Sequence, residues 1–172
     1  MGLGKALGFS LLALIGLNFL FVIIAETISG NLNILFSDIS SDPLIILLIF
    51  FGPLVSMPGS VFSSIYAQIS LGIFGSMLIQ SIGFIVSPFV ASIIAGRMGE
   101  NKGGSFGGWM ITAMISAVAL GILAFISSTT LMYYGIPVAD PILILISFLI
   151  SGAVNGVFYG CFSLLFTKEE MY

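Results

Sequence analysis

Apolar stretches long enough to cross a membrane recur along the chain, separated by short polar segments. The hydrocarbon core of a bilayer is about 30 Å thick, so a helix needs about 20 apolar residues to cross it. Residues 6–25, 108–131 and 141–166 each supply such a stretch. Charged residues bound the first stretch at Lys5 and Glu26. The pattern therefore predicts transmembrane helices at these positions.

The interval between Pro43 and Arg97 contains no charged side chain. Its second part, residues 70–95, is long enough for a further span. Its first part, residues 44–68, is apolar but interrupted by residues that break helices, because proline lacks a backbone donor and clashes with the preceding turn. The predicted helix-breaking residues are Pro53, Pro58 and Gly59.

Two topologies fit this interval. In one, residues 44–68 form a re-entrant or surface-lying hairpin, and the chain has four spans. In the other, residues 44 to about 65 form a kinked span, and the chain has five. Only the four-span topology places all basic residues on one side, namely Lys5, Arg97, Lys102 and Lys168. Because basic residues are enriched in cytoplasmic loops, we predict four spans with both termini in the cytoplasm, and five spans as the alternative.

Composition and charge indicate a membrane protein and exclude several other classes. Of the 172 residues, 59% are apolar and 6% are charged, whereas soluble domains carry about a quarter charged residues. Four basic and seven acidic side chains give a formal net charge of −3, so the chain lacks the basic surface of a nucleic-acid-binding protein. We predict an all-α integral membrane protein in which residues 1–172 form a single transmembrane helical domain.

The chain is poor in the side chains that most commonly perform catalysis or bind metal ions. The chain has no histidine, which excludes a Ser-His-Asp triad and an imidazole proton relay. Its one cysteine, Cys161, cannot form an intrachain disulfide or a thiolate metal cluster. We therefore expect no enzymatic activity, no cofactor and no bound metal ion.

Small residues recur at every fourth position in three of the predicted spans. Residues four apart share one face of a helix, and small ones let two helix backbones approach closely. We expect these stripes to pack the bundle internally, or alternatively to form an interface between copies. They comprise Gly83, Ser87, Ala91 and Ala95; Ala113, Ala117 and Gly121; and Gly152, Gly156 and Gly160.

Uncharged polar side chains also occur at membrane depth. A buried amide in lipid needs a hydrogen-bond partner, which a neighbouring helix can supply. Such residues either join helices or line a path for a solute, and we favour the joining role. They are Asn18, Gln68, Gln80 and Asn155.

Two functions are compatible with this pattern. The first is an accessory or scaffold subunit, or a homo-oligomeric bundle, whose partners are membrane lipids and the helices of other membrane proteins or of further copies. The second is a channel or transporter subunit for a neutral solute or an ion, because broken helices at membrane depth tend to line cavities. We favour the first. The spacing of the glycines in this chain is common in small prokaryotic membrane proteins, so we expect the protein to lie in a prokaryotic plasma membrane.

Overall fold

The computed structural model describes residues 2–133, 136 and 140–168, and every regular element among them is an α-helix. In chain order the helices are α1 (Gly2–Ser29), α2 (Leu32–Ser41), α3 (Ile45–Val55), α4 (Pro58–Ser70), α5 (Ser76–Met98), α6 (Lys102–Ile126), α7 (Ser128–Tyr133) and α8 (Pro141–Leu165).

Four helices, α1, α5, α6 and α8, are long and apolar enough to cross a membrane. They correspond to the four full-length spans that the sequence predicts. The number rises to five if α2 and α3, which are bent by 108° relative to each other, are counted as one broken span. That fifth candidate differs from the predicted alternative, which joined residues 44 to about 65, because α2 lies before that range.

Several predicted span boundaries differ from the helix ends, and the helix predicted over 108–131 already begins at Lys102. The span predicted over 70–95 begins at Ser76, because α4 ends in a Schellman motif in which Gly72 adopts a φ of 67° and the Ile73 N–H donates to the Gln68 carbonyl at 2.9 Å. The span predicted over 108–131 ends at Ile126. There Ser127 is extended, and its hydroxyl accepts a hydrogen bond from the Thr130 N–H at 3.4 Å.

The helix break within residues 44–68 falls between Val55 and Pro58. Pro58 occupies the first turn of α4, where a missing N–H costs no helical hydrogen bond, and Gly59 follows it in the same turn. Pro53 lies inside α3 and does not end it. The break therefore lies between two of the predicted helix-breaking residues, Pro53 and Pro58, and Pro53 itself does not interrupt α3.

Charged residues lie at opposite ends of the bundle. At one end, which we name the basic end, the Lys5 ammonium contacts the Glu100 carboxylate at 2.9 Å and thereby joins α1 to the turn between α5 and α6. This hydrogen bond and charge hold the pKa of Glu100 below its usual range. The other end, which we name the acidic end, carries Glu26, Asp38, Asp42 and Asp140.

Helices α3 and α4 form a hairpin that enters from the acidic end and returns to it. Helix α3 has 11 residues, which rise about 16 Å, or roughly half the hydrocarbon thickness. Its last turn contacts Asn155, which lies near the middle of the 25-residue α8. Helix α4 then runs back along α5, where Gln68 Nε2 donates to Ser81 Oγ at 3.1 Å. The long apolar helices number four, or five if α2 and α3 are counted as one span, so the structure is compatible with both predicted span counts.

The small-residue stripes lie between helices of the same chain. On α5, a Cβ at Gly83 would lie 2.6 Å from the Phe21 Cβ of α1. On α8, a Cβ at Gly152 would lie 2.6 Å from the Ala117 Cβ of α6. Other stripe members face neighbouring side chains, with Gly121 against Leu145, Gly156 against Met110 and Gly160 against Phe106. Ser87, Ala91, Ala95 and Ala113 are fully buried.

Candidate functional site

The C-terminal end of α3 is held by an asparagine from a neighbouring helix. A helix ends with carbonyl groups that lack intrahelical donors, and inside a membrane no bulk water can supply them. Asn155, which is 1% exposed, directs its Nδ2 toward the carbonyls of Leu54 at 2.9 Å and Ser56 at 3.0 Å. The same Nδ2 also lies 3.0 Å from the Ser151 carbonyl of its own helix. Asn155 thus acts as a side-chain cap for α3.

A second asparagine compensates for the proline inside α3. Pro53 has no N–H to donate to the carbonyl four residues earlier, which is that of Ile49. The Asn18 Nδ2 of α1 donates to this Ile49 carbonyl instead. This replacement donor explains how α3 continues through Pro53. The Oδ1 of Asn18 is buried and accepts no hydrogen bond from the described part of the chain.

A cavity of about 480 Å³ lies between α1, α2, α3 and α5. It extends from Glu26, near the end of α1, to Asn18, which lies eight residues earlier and about 12 Å deeper. Its volume falls within the range of about 300–1,000 Å³ that is typical of small-molecule sites. The residues that line it are Asn18, Val22, Glu26, Asn31, Ile34, Leu35, Asp38, Ile45, Leu48, Ile49, Gly52, Val55, Ser56, Gln80, Phe84 and Ile136.

The charged groups of the cavity are all acidic. Glu26 and Asp38 supply carboxylates at the acidic end, and none of the described lining residues is basic. Gln80 Nε2 donates to Glu26 Oε1 at 3.0 Å and thereby joins α5 to α1 at the mouth of the cavity. Asn31 and Ser56 contribute uncharged polar groups. Apolar side chains form the remaining walls.

The structure brings two of the four predicted polar lining residues to this cavity. Asn18 and Gln80 line it, whereas Gln68 and Asn155 are not among its lining residues. Gln68 instead joins α4 to α5, because its Nε2 lies 3.0 Å from Ser64 Oγ and 3.1 Å from Ser81 Oγ. Asn155 instead caps α3. Both have the joining role that the sequence also suggested.

Sequence reasoning missed Glu26 and Asp38 as cavity residues. It named Glu26 only as the charged residue that ends the first apolar stretch, and it did not select Asp38. One available signal was the spacing of Asn18, Val22 and Glu26, which follow one another at every fourth position and share a face of α1. The position of Asp38 depends on the 108° bend between α2 and α3, which the sequence pattern does not encode.

The cavity does not continue into the basic half of the bundle. That half is filled by a cluster of buried side chains from α1, α3, α5, α6 and α8. Trp109 and Tyr159 are its largest members, and their rings meet edge to face with centroids 6.2 Å apart. Among the residues that the structure describes, the cavity is therefore a pocket that reaches about half the depth of the bundle.

Comparisons with known proteins add no family. No protein-family model matches the chain, and neither the curated proteins nor the solved structures include a significant match. Within the described residues, no group of three or more histidine, cysteine, aspartate or glutamate side chains is arranged to hold a metal ion. The geometry of the cavity is therefore the basis for a functional proposal.

Proposed function

We propose that the protein is a solute-binding subunit of a membrane channel or transporter, which admits a small solute from its acidic end to the middle of the bundle. The observation that carries this proposal is the half-depth cavity between α1 and the short helix α3. Discontinuous helices at membrane depth are characteristic of transport sites, because their ends and the adjoining polar groups can contact a solute.

The boundary between the cavity and the filled basic half supports a role as a subunit. A solute at the depth of Asn18 has about half of the bundle still to cross, past Trp109 and Tyr159. Transport would require a rearrangement of that half or a path completed by partner helices. We therefore propose that other membrane proteins, or further copies of this chain, complete the assembly in the lipid bilayer.

The scaffold role is less well supported by the structure than by the sequence pattern. Its motivation was the set of small-residue stripes, and these pack between helices of one chain, as Gly83 does against Phe21 and Gly152 against Ala117. Stripes used in this way are not available for contacts between copies.

We propose that the basic end faces the cytoplasm of a prokaryotic cell and that the cavity opens outward. Lys5, Arg97 and Lys102 lie at or next to the ends of α1, α5 and α6 at the basic end. Basic residues near the ends of spans are retained on the cytoplasmic side during membrane insertion. The acidic end would then meet solute outside the cell.

Cysteine labelling in lipid nanodiscs tests whether the cavity is open to water. In a Cys161→Ser background, Ser56→Cys places a thiol at the deep part of the cavity. We expect a cationic, membrane-impermeant methanethiosulfonate reagent to modify this thiol, because the modification requires an ionised thiol and therefore water. The extent of modification is measured by mass spectrometry.

Val154→Cys is the matched control for this experiment. Val154 precedes Asn155 on α8 and lies at a similar depth, but its side chain is 42% exposed on the outer surface of the bundle, where lipid would surround it. We expect little modification there. Equal, slow modification at both positions would contradict the proposed function, because the cavity would then be closed to water.

A further inference from the structure

We infer that the cavity takes a small organic cation, namely a molecule with an ammonium group at one end, an apolar middle and a hydrogen-bond donor at the other end. This inference rests on the proposed function and specifies the class of solute. It combines the charge at the mouth of the cavity with an unsatisfied acceptor at its deep end.

The mouth selects for positive charge. Glu26 and Asp38 both line this part of the cavity, and no basic residue accompanies them among the described lining residues. The Gln80 amide donates to one oxygen of Glu26 and fixes the carboxylate beside the cavity. An anion entering here would meet like charge, whereas an ammonium group would form charge-assisted hydrogen bonds.

The deep end selects for a hydrogen-bond donor. Asn18 is fully buried, and its Nδ2 is engaged by the Ile49 carbonyl. Its Oδ1 has no donor within the described residues, and Asn18 is one of the residues that line the cavity. An unsatisfied buried acceptor is destabilising, so buried polar atoms are nearly always paired. A hydroxyl or amino group of a ligand would satisfy this oxygen.

The separation of the two polar features sets the shape of the ligand. Glu26 and Asn18 are eight residues apart on α1, so their backbones lie about 12 Å apart along the helix. A single inorganic ion cannot contact both. The wall between them is apolar, with Val22 on α1, Ile45 and Ile49 on α3 and Phe84 on α5. An elongated molecule with an aliphatic middle fits this arrangement.

A matched set of six-carbon probes tests the inference on the full chain in detergent micelles. The probes are 6-amino-1-hexanol, hexylamine, 1,6-hexanediol and 6-hydroxyhexanoate, and binding is measured by isothermal titration calorimetry. We expect 6-amino-1-hexanol to bind most tightly and 6-hydroxyhexanoate not to bind. We expect the hydroxyl group to improve affinity about fivefold over hexylamine, as one neutral hydrogen bond would.

Two substitutions assign these effects to the cavity. Glu26→Gln keeps an oxygen that can accept from Gln80 but removes the charge, and it should weaken binding of 6-amino-1-hexanol at least about tenfold. Asn18→Leu should abolish the difference between 6-amino-1-hexanol and hexylamine. Asp140→Asn is the control, because Asp140 lies at the same end of the bundle without lining the cavity, and it should leave affinity unchanged.

The outcomes separate this inference from the proposed function. Equal or tighter binding of 6-hydroxyhexanoate to the unmodified chain would overturn the inference without any variant, as would unchanged affinity in a folded Glu26→Gln variant. If Ser56→Cys is nevertheless modified from water, the cavity is open and only the class of solute is wrong. If Ser56→Cys is not modified, the proposed function fails as well.

Discussion

Replacing Gly152 with leucine should disrupt the packing of α8 against α6 and destabilise the folded protein. A Cβ at this position would lie 2.6 Å from the Ala117 Cβ and 3.2 Å from the Ala113 carbonyl oxygen, and neither atom can move without its helix. Overpacking of a rigid contact costs about 1–3 kcal/mol and occasionally more. Because a branched side chain must be placed where even one methyl group does not fit, we expect the free energy of unfolding to fall by about 3 kcal/mol or more.

The measurement is unfolding in sodium dodecyl sulfate, followed by the fluorescence of the single tryptophan. This residue, Trp109, is fully buried on α6 next to Tyr159 and reports on the same interface. Gly16→Leu is the control, because Gly16 is exposed near the middle of α1 and a Cβ there would have nothing within 4 Å. Equal stability of the Gly152→Leu and Gly16→Leu variants would contradict the packing described here.

Gly156, in the same stripe as Gly152, faces a side chain that can move. The nearest atom to a Cβ at Gly156 would be the Sδ of Met110, at 2.5 Å. That atom belongs to a flexible side chain that can rotate away. Gly156→Leu should therefore be less damaging than Gly152→Leu, although both glycines belong to the same sequence pattern.

Replacing Asn155 with leucine should loosen the end of α3. Leucine has a similar volume but no donor, so the buried carbonyls of Leu54 and Ser56 would lose the side-chain amide that contacts them. An unsatisfied buried acceptor costs about 1–3 kcal/mol, while polar contacts between membrane helices average about 0.6 kcal/mol. We expect a loss of about 2 kcal/mol in the free energy of unfolding.

Hydrogen exchange locates this effect. Amide protons in α3 should exchange faster in the Asn155→Leu variant, while those in α6 should change little. Ser87→Ala is the control, because the fully buried Ser87 hydroxyl has no partner within the described residues and its removal leaves no new orphan. We expect that variant to stay within about 0.5 kcal/mol of the original stability. An equal loss in both variants would argue against a cap on α3.

The four long helices could be predicted from the sequence because lipid imposes a simple rule. About 20 consecutive apolar residues are needed to cross the hydrocarbon core, and few charges are tolerated within them. The ends of the helices were less predictable. Gly72 ends α4 through its left-handed conformation, and Ser127 ends α6 by capping the next helix. Both are local events that an apolar run does not reveal.

The cavity could be predicted only in part. Amide side chains at membrane depth indicated polar contacts, but the sequence pattern cannot tell which of them face a void. Asn18 and Asn155 look alike in sequence and both contact α3, yet only Asn18 lines the cavity. The difference follows from how the α3–α4 hairpin is placed against the long helices. That placement depends on contacts between residues distant in sequence.

Helix α3 lines the cavity, and the proposed half depth of the cavity requires that the chain returns through α4 to the acidic end. Sided labelling tests this return most directly. In a Cys161→Ser background, single cysteines at Ser40, Ser70 and Gly103 are treated with an impermeant maleimide on right-side-out and inverted vesicles. We expect Ser40→Cys and Ser70→Cys to react from the same side of the membrane and Gly103→Cys to react from the opposite side. Reaction of Ser40→Cys and Ser70→Cys from opposite sides would mean that this segment crosses the bilayer, and it would contradict the account.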